Sequence, residues 1–154
     1  MTVPSPPSIE VRRSPVHGRG VYAVRPFAAG TPLGDYEGRR HDAEALLAID
    51  WGRRHGGRTY LFALSDGTVI DGAEEGGNAL RFLNHACRPN CEAVEARDDR
   101  GMLVIRLATT HAVAAGAELF LDYALVIDPS ESARDYPCRC GMPGCRGTLV
   151  AATA

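Results

Sequence analysis

Apolar residues in this chain come in short runs bounded by glycine or proline, and long helical periodicity is rare. The runs lie within GRGVYAV, GTPLGDYEG, RTYLFALSDGTVIDG, MLVIRLATTHAV and ELFLDYALVI. Their length and their turn-forming borders predict strands. In the third, two apolar runs flank Asp66-Gly67, which predicts a hairpin with a type I′ turn. One segment reads as a helix, residues 42–54, with Asp42 as N-cap and Glu44 in the first turn. Its apolar residues Leu46, Leu47, Ile49 and Trp51 follow helical spacing only in part. Residues 1–10 are expected to form a flexible arm, and the polar stretch 128–137 a linker. The pattern predicts a mostly β body over residues 11–127, a cysteine-rich appendage over 138–149 and a short tail over 150–154.

A length of 154 residues with 45% apolar content suits one modest core, and a net charge of −2 exerts no global pull toward nucleic acid or membrane. The charge is uneven. Residues 1–60 carry nine Arg against six Asp and Glu, whereas residues 61–154 carry eight against thirteen. An acidic C-terminal half suits a basic peptide better than a phosphate backbone, although by itself it is more simply read as a solvated surface. All 17 basic residues are Arg, so chemistry aimed at lysine must find its target on another molecule. The N-terminal stretch MTVPSPPSIEV has three prolines and no apolar run, which predicts neither a signal peptide nor a membrane span. An intracellular, reducing site of synthesis is expected. Five cysteines, an odd number, then point to metal or free thiols rather than a disulfide framework.

Cys138, Cys140 and Cys145 form C-x-C-x4-C, one thiolate short of a tetrahedral zinc site. Gly141 and Gly144 relieve the backbone between them. The fourth ligand must come from elsewhere. Cys87 and Cys91, in the loop RFLNHACRPNCEA, are both eligible, and His41 and His111 are eligible in principle.

The segments HGRGVYAV, DYEG, RTYLFAL, RFLNHACRPNC, ELFLDY and CRCGMPGC, in this order and spacing, resemble the SET-domain protein-lysine methyltransferases with a post-SET zinc motif. Within that family the chain is most similar to the trithorax and mixed-lineage-leukaemia type, in a small stand-alone form. The resemblance implies a fold of small twisted β-sheets with a C-terminal pseudoknot, one or two short helices and a zinc-binding tail. It implies S-adenosylmethionine as cosubstrate. His17, Gly18, Arg19 and Gly20 match the turn that lies against the methionine end, where glycine permits close approach of backbone to ligand. Asn84 and His85 match the pair that binds the cofactor, and Arg81 is expected to help order that region. Arg139 and Leu149 fall where the tail approaches the cofactor, and Tyr60 where an aromatic flanks both cofactor and channel. For one structural Zn²⁺, the family pattern selects Cys87, Cys138, Cys140 and Cys145, leaving Cys91 as a spare thiol.

Methyl transfer from a sulfonium to an amine is a single in-line displacement, and it needs a neutral amine although free lysine has a pKa of ~10.4. A narrow aromatic channel disfavours the ammonium form, and alignment lowers the barrier further. Tyr123 matches the catalytic tyrosine of the family, with Tyr36 and Tyr60 as further aromatic positions around the channel; Asp122 reads as structural. Leu121 stands where the family usually has Phe or Tyr, which predicts products beyond monomethyl-lysine. Ala86 replaces the usual Ser, and Leu125 a common Phe. The segment between Asp71 and Asn78 is very short, which predicts a minimal wall for the peptide cleft. The expected substrate is a basic protein, histone or histone-like, with no direct nucleic-acid or membrane partner. The competing reading is a catalytically silent SET module that binds a peptide or partner. A lysine-free, Ala/Gly/Arg-rich composition leans toward a bacterial cytoplasm, or toward a secreted effector acting in a host nucleus.

Overall fold

The computed structural model describes residues 9–16, 18–42, 61–72, 78–123, 132–138 and 140–149. In chain order the strands are β1 (Ile9–Arg13), β2 (Arg19–Ala23), β3 (Pro32–Asp35), β4 (Arg39–His41) and β5 (Leu61–Ala63). They continue with β6 (Val69–Asp71), β7 (Asn84–His85), β8 (Cys91–Arg97), β9 (Leu103–Thr109) and β10 (Glu118–Leu121). Two 3₁₀ turns, Ala79–Phe82 and Ala133–Asp135, are the only helical elements among the described residues. The protein is mostly β, as its short bounded runs predict. The helix expected over residues 42–54 lies outside the described residues apart from Asp42. The second 3₁₀ turn falls within the stretch expected to be a linker, and β1 begins at Ile9, inside the expected N-terminal arm.

The chain forms two units. The first comprises Met1–Pro32, Phe82–Glu92 and Ala108–Ala154, and the second Leu33–Arg81 and Ala93–Leu107. A four-stranded sheet in the order β1-β2-β10-β7 organises the first. β1 and β2 make an antiparallel hairpin running from Ile9↔Ala23 to Arg13↔Arg19. β10 runs antiparallel to β2, with Leu119 opposite Val21, and parallel to β7, with Phe120 opposite Asn84 and Leu121 opposite His85. Parallel neighbours require a long crossover, and β8 and β9 lie in that intervening chain. The inner strands carry the buried residues: Val21, Ala23 and Leu119 are wholly enclosed, as is Leu121 almost entirely. Burying a Val or Leu side chain of this kind contributes about 1.5–3 kcal/mol.

The second unit contains the sheet β4-β6-β5 and most of the sheet β3-β9-β8. Its core gathers Leu33, Tyr36, Ile70, Leu80, Ile105 and Leu107. The hairpin around Asp66-Gly67 is present, with Leu61 opposite Asp71 and Ala63 opposite Val69. Its turn differs from the one expected. The Gly67 N–H donates to the Leu64 carbonyl at 3.0 Å, and the Leu64 N–H to the Thr68 carbonyl at 2.8 Å. The loop therefore has three residues and ends on Gly67 at φ 90°, in place of a two-residue type I′ turn. Asp66 selects this geometry, because its carboxylate accepts the Thr68 N–H at 2.9 Å.

Candidate active site and metal centre

β7 is only two residues long, yet it aligns the Asn-His pair on the edge of the first sheet. Asn84 is buried, and its amide donates twice: to the Arg19 carbonyl at 3.0 Å and to Glu118 Oε2 at 2.9 Å. Glu118, the first residue of β10, gathers further donors. Ser14 Oγ reaches both carboxylate oxygens, at 2.8 and 3.0 Å, and the Tyr22 hydroxyl donates to Oε1 at 3.1 Å. Burial, reinforced by this carboxylate, pushes the Tyr22 phenol above its ordinary range. Gly20 sits directly beside the cluster: a Cβ there would collide with the Glu118 carboxylate and press on the Asn84 amide. The turn containing Gly18, Arg19 and Gly20 is thus joined to the Asn-His pair through one carboxylate.

His85 links β10 to the cysteine-bearing segment. Its Nδ1 accepts the Tyr123 backbone N–H at 2.9 Å, which puts the ring proton on Nε2, 3.5 Å from Cys87 Sγ. Burial holds the imidazole below its ordinary pKa; the nearby Asp122 carboxylate opposes that shift and Arg146 reinforces it. Tyr123 meets the same ring edge-on, with centroids 5.4 Å apart, and its hydroxyl donates to the Leu83 carbonyl. Asp122 forms a two-pronged ion pair with Arg146, at 2.9 and 3.0 Å.

Cys87, Cys138, Cys140 and Cys145 converge, with their sulfurs all within 4.8 Å of one another. Cys87 Sγ lies 3.7 Å from that of Cys138 and 3.9 Å from that of Cys145. Four sulfurs about 2.3 Å from a tetrahedral zinc ion stand about 3.8 Å apart, so the spacing fits. Backbone N–H groups point at the sulfurs as they would at thiolates: Arg146 to Cys87 at 3.3 Å, Cys140 to Cys138 at 3.4 Å and Gly147 to Cys145 at 3.3 Å. The four cysteines are positioned to bind a metal ion. Cys91 is apart from them, buried in β8, with its thiol pushed by burial up to about 12.

The other sequence-predicted residues divide. Leu149 is half-buried and its N–H donates to the Tyr136 carbonyl at 2.8 Å, closing the tail beside the Pro137–Thr148 bridge. In the second unit, Tyr36 is buried against Phe62 with centroids 4.6 Å apart, and Arg81 donates to the Gly72 carbonyl at 3.4 Å. His17, Tyr60 and Arg139 lie outside the described residues. Sequence reasoning missed Glu118 and Arg146, and Asn90 was legible only as shaping the turn with Pro89. Asn90 donates to the Glu118 carbonyl at 2.9 Å and accepts the Phe120 N–H at 2.8 Å, acting as a short extra strand beside β10. The signal for Asn90 was its place after Pro89, where an amide side chain substitutes for backbone partners.

The family described as "SET domain" matches residues 18–124. The chain is 35% identical over 143 residues to a Yarrowia lipolytica protein named "Histone-lysine N-methyltransferase, H3 lysine-4 specific", covering 92% of this chain and 12% of that protein. Proteins of the same name from Candida albicans and Saccharomyces cerevisiae are 35% identical over 146 residues and 36% identical over 141. Each alignment covers 89% of this chain and 13% of the relative. The chain spans about an eighth of the length of these relatives. These relatives are fungal, so the bacterial-host and secreted-effector readings gain no support from them. Among the described residues no helix is long and apolar enough to cross a membrane. Six sequence motifs, the β-rich fold around the Asn-His pair and a family match over most of the chain agree: this protein belongs to the SET-domain family.

Proposed function

We propose that the protein is a protein-lysine N-methyltransferase that transfers methyl from S-adenosylmethionine to a lysine ε-amine of a basic protein, histone H3 or a similar tail. One observation carries the reading. The first sheet sets Asn84 and His85 against β10, with Tyr123 two residues beyond it, and His85 lies beside Cys87, one of the four converging cysteines. The names of the fungal relatives support the substrate class, as does the excess of acidic residues after residue 60. The lysine must come from another molecule, since this chain has none. We assign residues 11–127 to the SET domain and 138–149 to a post-SET zinc motif.

Bound S-adenosylmethionine supplies an electrophilic methyl group. Asn84, the backbone of His85 and the His17–Gly20 turn would hold it, with Tyr60, Arg81, Arg139 and Leu149 completing the site. The two donations of the Asn84 amide, to the Arg19 carbonyl and to Glu118, fix its orientation beside the Gly18–Gly20 turn. Tyr123 gives its proton to Leu83, so its oxygen meets an incoming amine as an acceptor and aligns it. By the family resemblance, Tyr36 and Tyr60 would be the further aromatic residues that disfavour the charged amine. Zn²⁺ on Cys87, Cys138, Cys140 and Cys145 would be structural, with all four positions taken by sulfur.

The test is transfer of label from S-adenosylmethionine to recombinant histones and to unrelated basic proteins, beside Tyr123→Phe. Labelled lysine with wild type and at least a tenfold lower rate with the variant is expected. Cofactor binding without label on any basic substrate would instead establish a silent binding module.

A further inference from the structure

His85 faces two ways. On one side its ring receives the Tyr123 backbone N–H at 2.9 Å and meets the Tyr123 ring edge-on; on the other its Nε2 points at Cys87 Sγ, 3.5 Å away. A second connection runs parallel to the first. Arg146, immediately after Cys145, donates its backbone N–H to Cys87 Sγ at 3.3 Å, while its guanidinium clasps Asp122 at 2.9 and 3.0 Å. Asp122 is the residue before Tyr123. Both connections start at Cys87; the first ends on the Tyr123 backbone and the second on the side chain of its chain neighbour, Asp122.

We propose that His85 and the Asp122–Arg146 pair are positioning residues that transmit occupancy of the four-cysteine site to Tyr123. The inference rests on the functional reading above for its catalytic consequence, but its structural content stands apart from it. Residues 140–149 contain no strand or α-helix, and their side chains are exposed or half-buried. Little apolar packing holds this segment, so a metal gripping Cys87 together with Cys138, Cys140 and Cys145 is its main fastening. With metal bound, Cys87 presents a fixed acceptor to His85 Nε2–H, and Arg146 is held within reach of Asp122. Without metal, four sulfurs at less than 4.8 Å lose the charge that holds them together. The tail loosens, His85 loses its sulfur acceptor and Asp122 its guanidinium. Tyr123 keeps its hydroxyl bond to Leu83, but the His85 ring and the Asp122 side chain beside it are no longer fixed from the tail. A displacement of about 1 Å at such a group can lower a rate about a hundredfold.

The experiment follows Tyr123 directly, with ¹³Cζ-tyrosine NMR and its resonance assigned by absence from Tyr123→Phe. Stripping the metal from the wild-type protein is expected to shift or broaden that resonance, and cobalt(II) or zinc to restore it. In Arg146→Met, cobalt(II) should still bind one equivalent with its thiolate absorption, while the Tyr123 resonance broadens in the loaded protein. With a histone substrate, kcat should fall about tenfold, more than any change in KM for the cosubstrate. The charge-reversed pair Asp122→Arg with Arg146→Asp should recover most of that loss. A native Tyr123 resonance in the stripped protein or in Arg146→Met overturns the proposal. So does loss of cobalt binding by Arg146→Met, which would make the pair a fastening of the site rather than a link from it. If the wild-type protein methylates nothing, the functional reading fails, and the NMR comparison still decides the link.

Discussion

Glu118 accepts from Ser14, Tyr22 and Asn84, three side chains brought together from β1–β2 and β7, and this makes it the residue on which the Asn84 amide depends. Hydrogen bonds to a charged group contribute about 1.5–3 kcal/mol each, so removing the carboxylate costs more than one ordinary contact. Glu118→Ala should weaken S-adenosylmethionine binding at least tenfold by titration calorimetry. Glu118→Gln should do so less, because the Tyr22 hydroxyl can turn from donor to acceptor and leave the remaining oxygen to Asn84. Equal losses in the two variants would sink this account. Leu121 supplies a second prediction at this scale. It is buried opposite His85, and at the position where the resemblance expects Phe or Tyr it offers no hydroxyl to restrain a methylated amine. Mass spectrometry after exhaustive reaction should show di- or trimethyl-lysine with wild type and mainly monomethyl-lysine with Leu121→Tyr. Asn84, His85 and Tyr123 were legible as motif residues. Glu118 was not, because a glutamate opening a strand looks the same in sequence whether it faces water or three donors.

Among elements, legibility followed position within the sheets. The apolar runs revealed β2, β6, β9 and β10, every one an inner strand, along with the edges β3 and β5. The four missed strands, β1, β4, β7 and β8, are all edges. β8 shows why: Cys91 is buried, but most of its remaining positions are exposed, so CEAVEAR presents neither an apolar run nor clean alternation. β7 has only two residues and owes its existence to pairing with β10. On its other face toward the loop, β10 is braced by the Asn90 side chain in two hydrogen bonds with Glu118 and Phe120. Asn90→Ala would leave a carbonyl and an N–H without that partner, at a cost of about 2–4 kcal/mol. The midpoint of thermal unfolding should fall by about 5–15 °C. A shift within 2 °C or so would mean that water replaces the side chain fully. Asn90→Asp should retain the bond from Phe120 and lose that to Glu118, giving an intermediate value.

At the scale of the whole molecule, the cysteines fall into four that converge, positioned to bind a metal ion, and one, Cys91, that lies apart. Cys87 lies far in sequence from Cys138, Cys140 and Cys145, and the sequence by itself left Cys91 equally eligible; the folded backbone separates them by burying Cys91 in a strand and turning Cys87 to the tail. Thiolates are the reactive form. Burial pushes the Cys91 thiol from an ordinary value of 9.0 up to about 12. The sign follows from that direction: the folded state holds this proton more tightly, so the contribution is fully present below about 9 and is lost as pH rises toward about 12. At pH 8 only about one Cys91 in ten thousand is ionised. Iodoacetamide should therefore label no cysteine rapidly in the metal-loaded protein at pH 8. After chelation the four clustered cysteines should react, and Cys91 should follow only on global unfolding. Peptide mapping by mass spectrometry separates the sites. Cys87→Ser should abolish stoichiometric zinc binding, whereas Cys91→Ser should retain one equivalent. Prompt labelling of Cys91 on chelation, or zinc lost in Cys91→Ser alone, would reverse the ligand assignment and remove the basis for a tail anchored at Cys87.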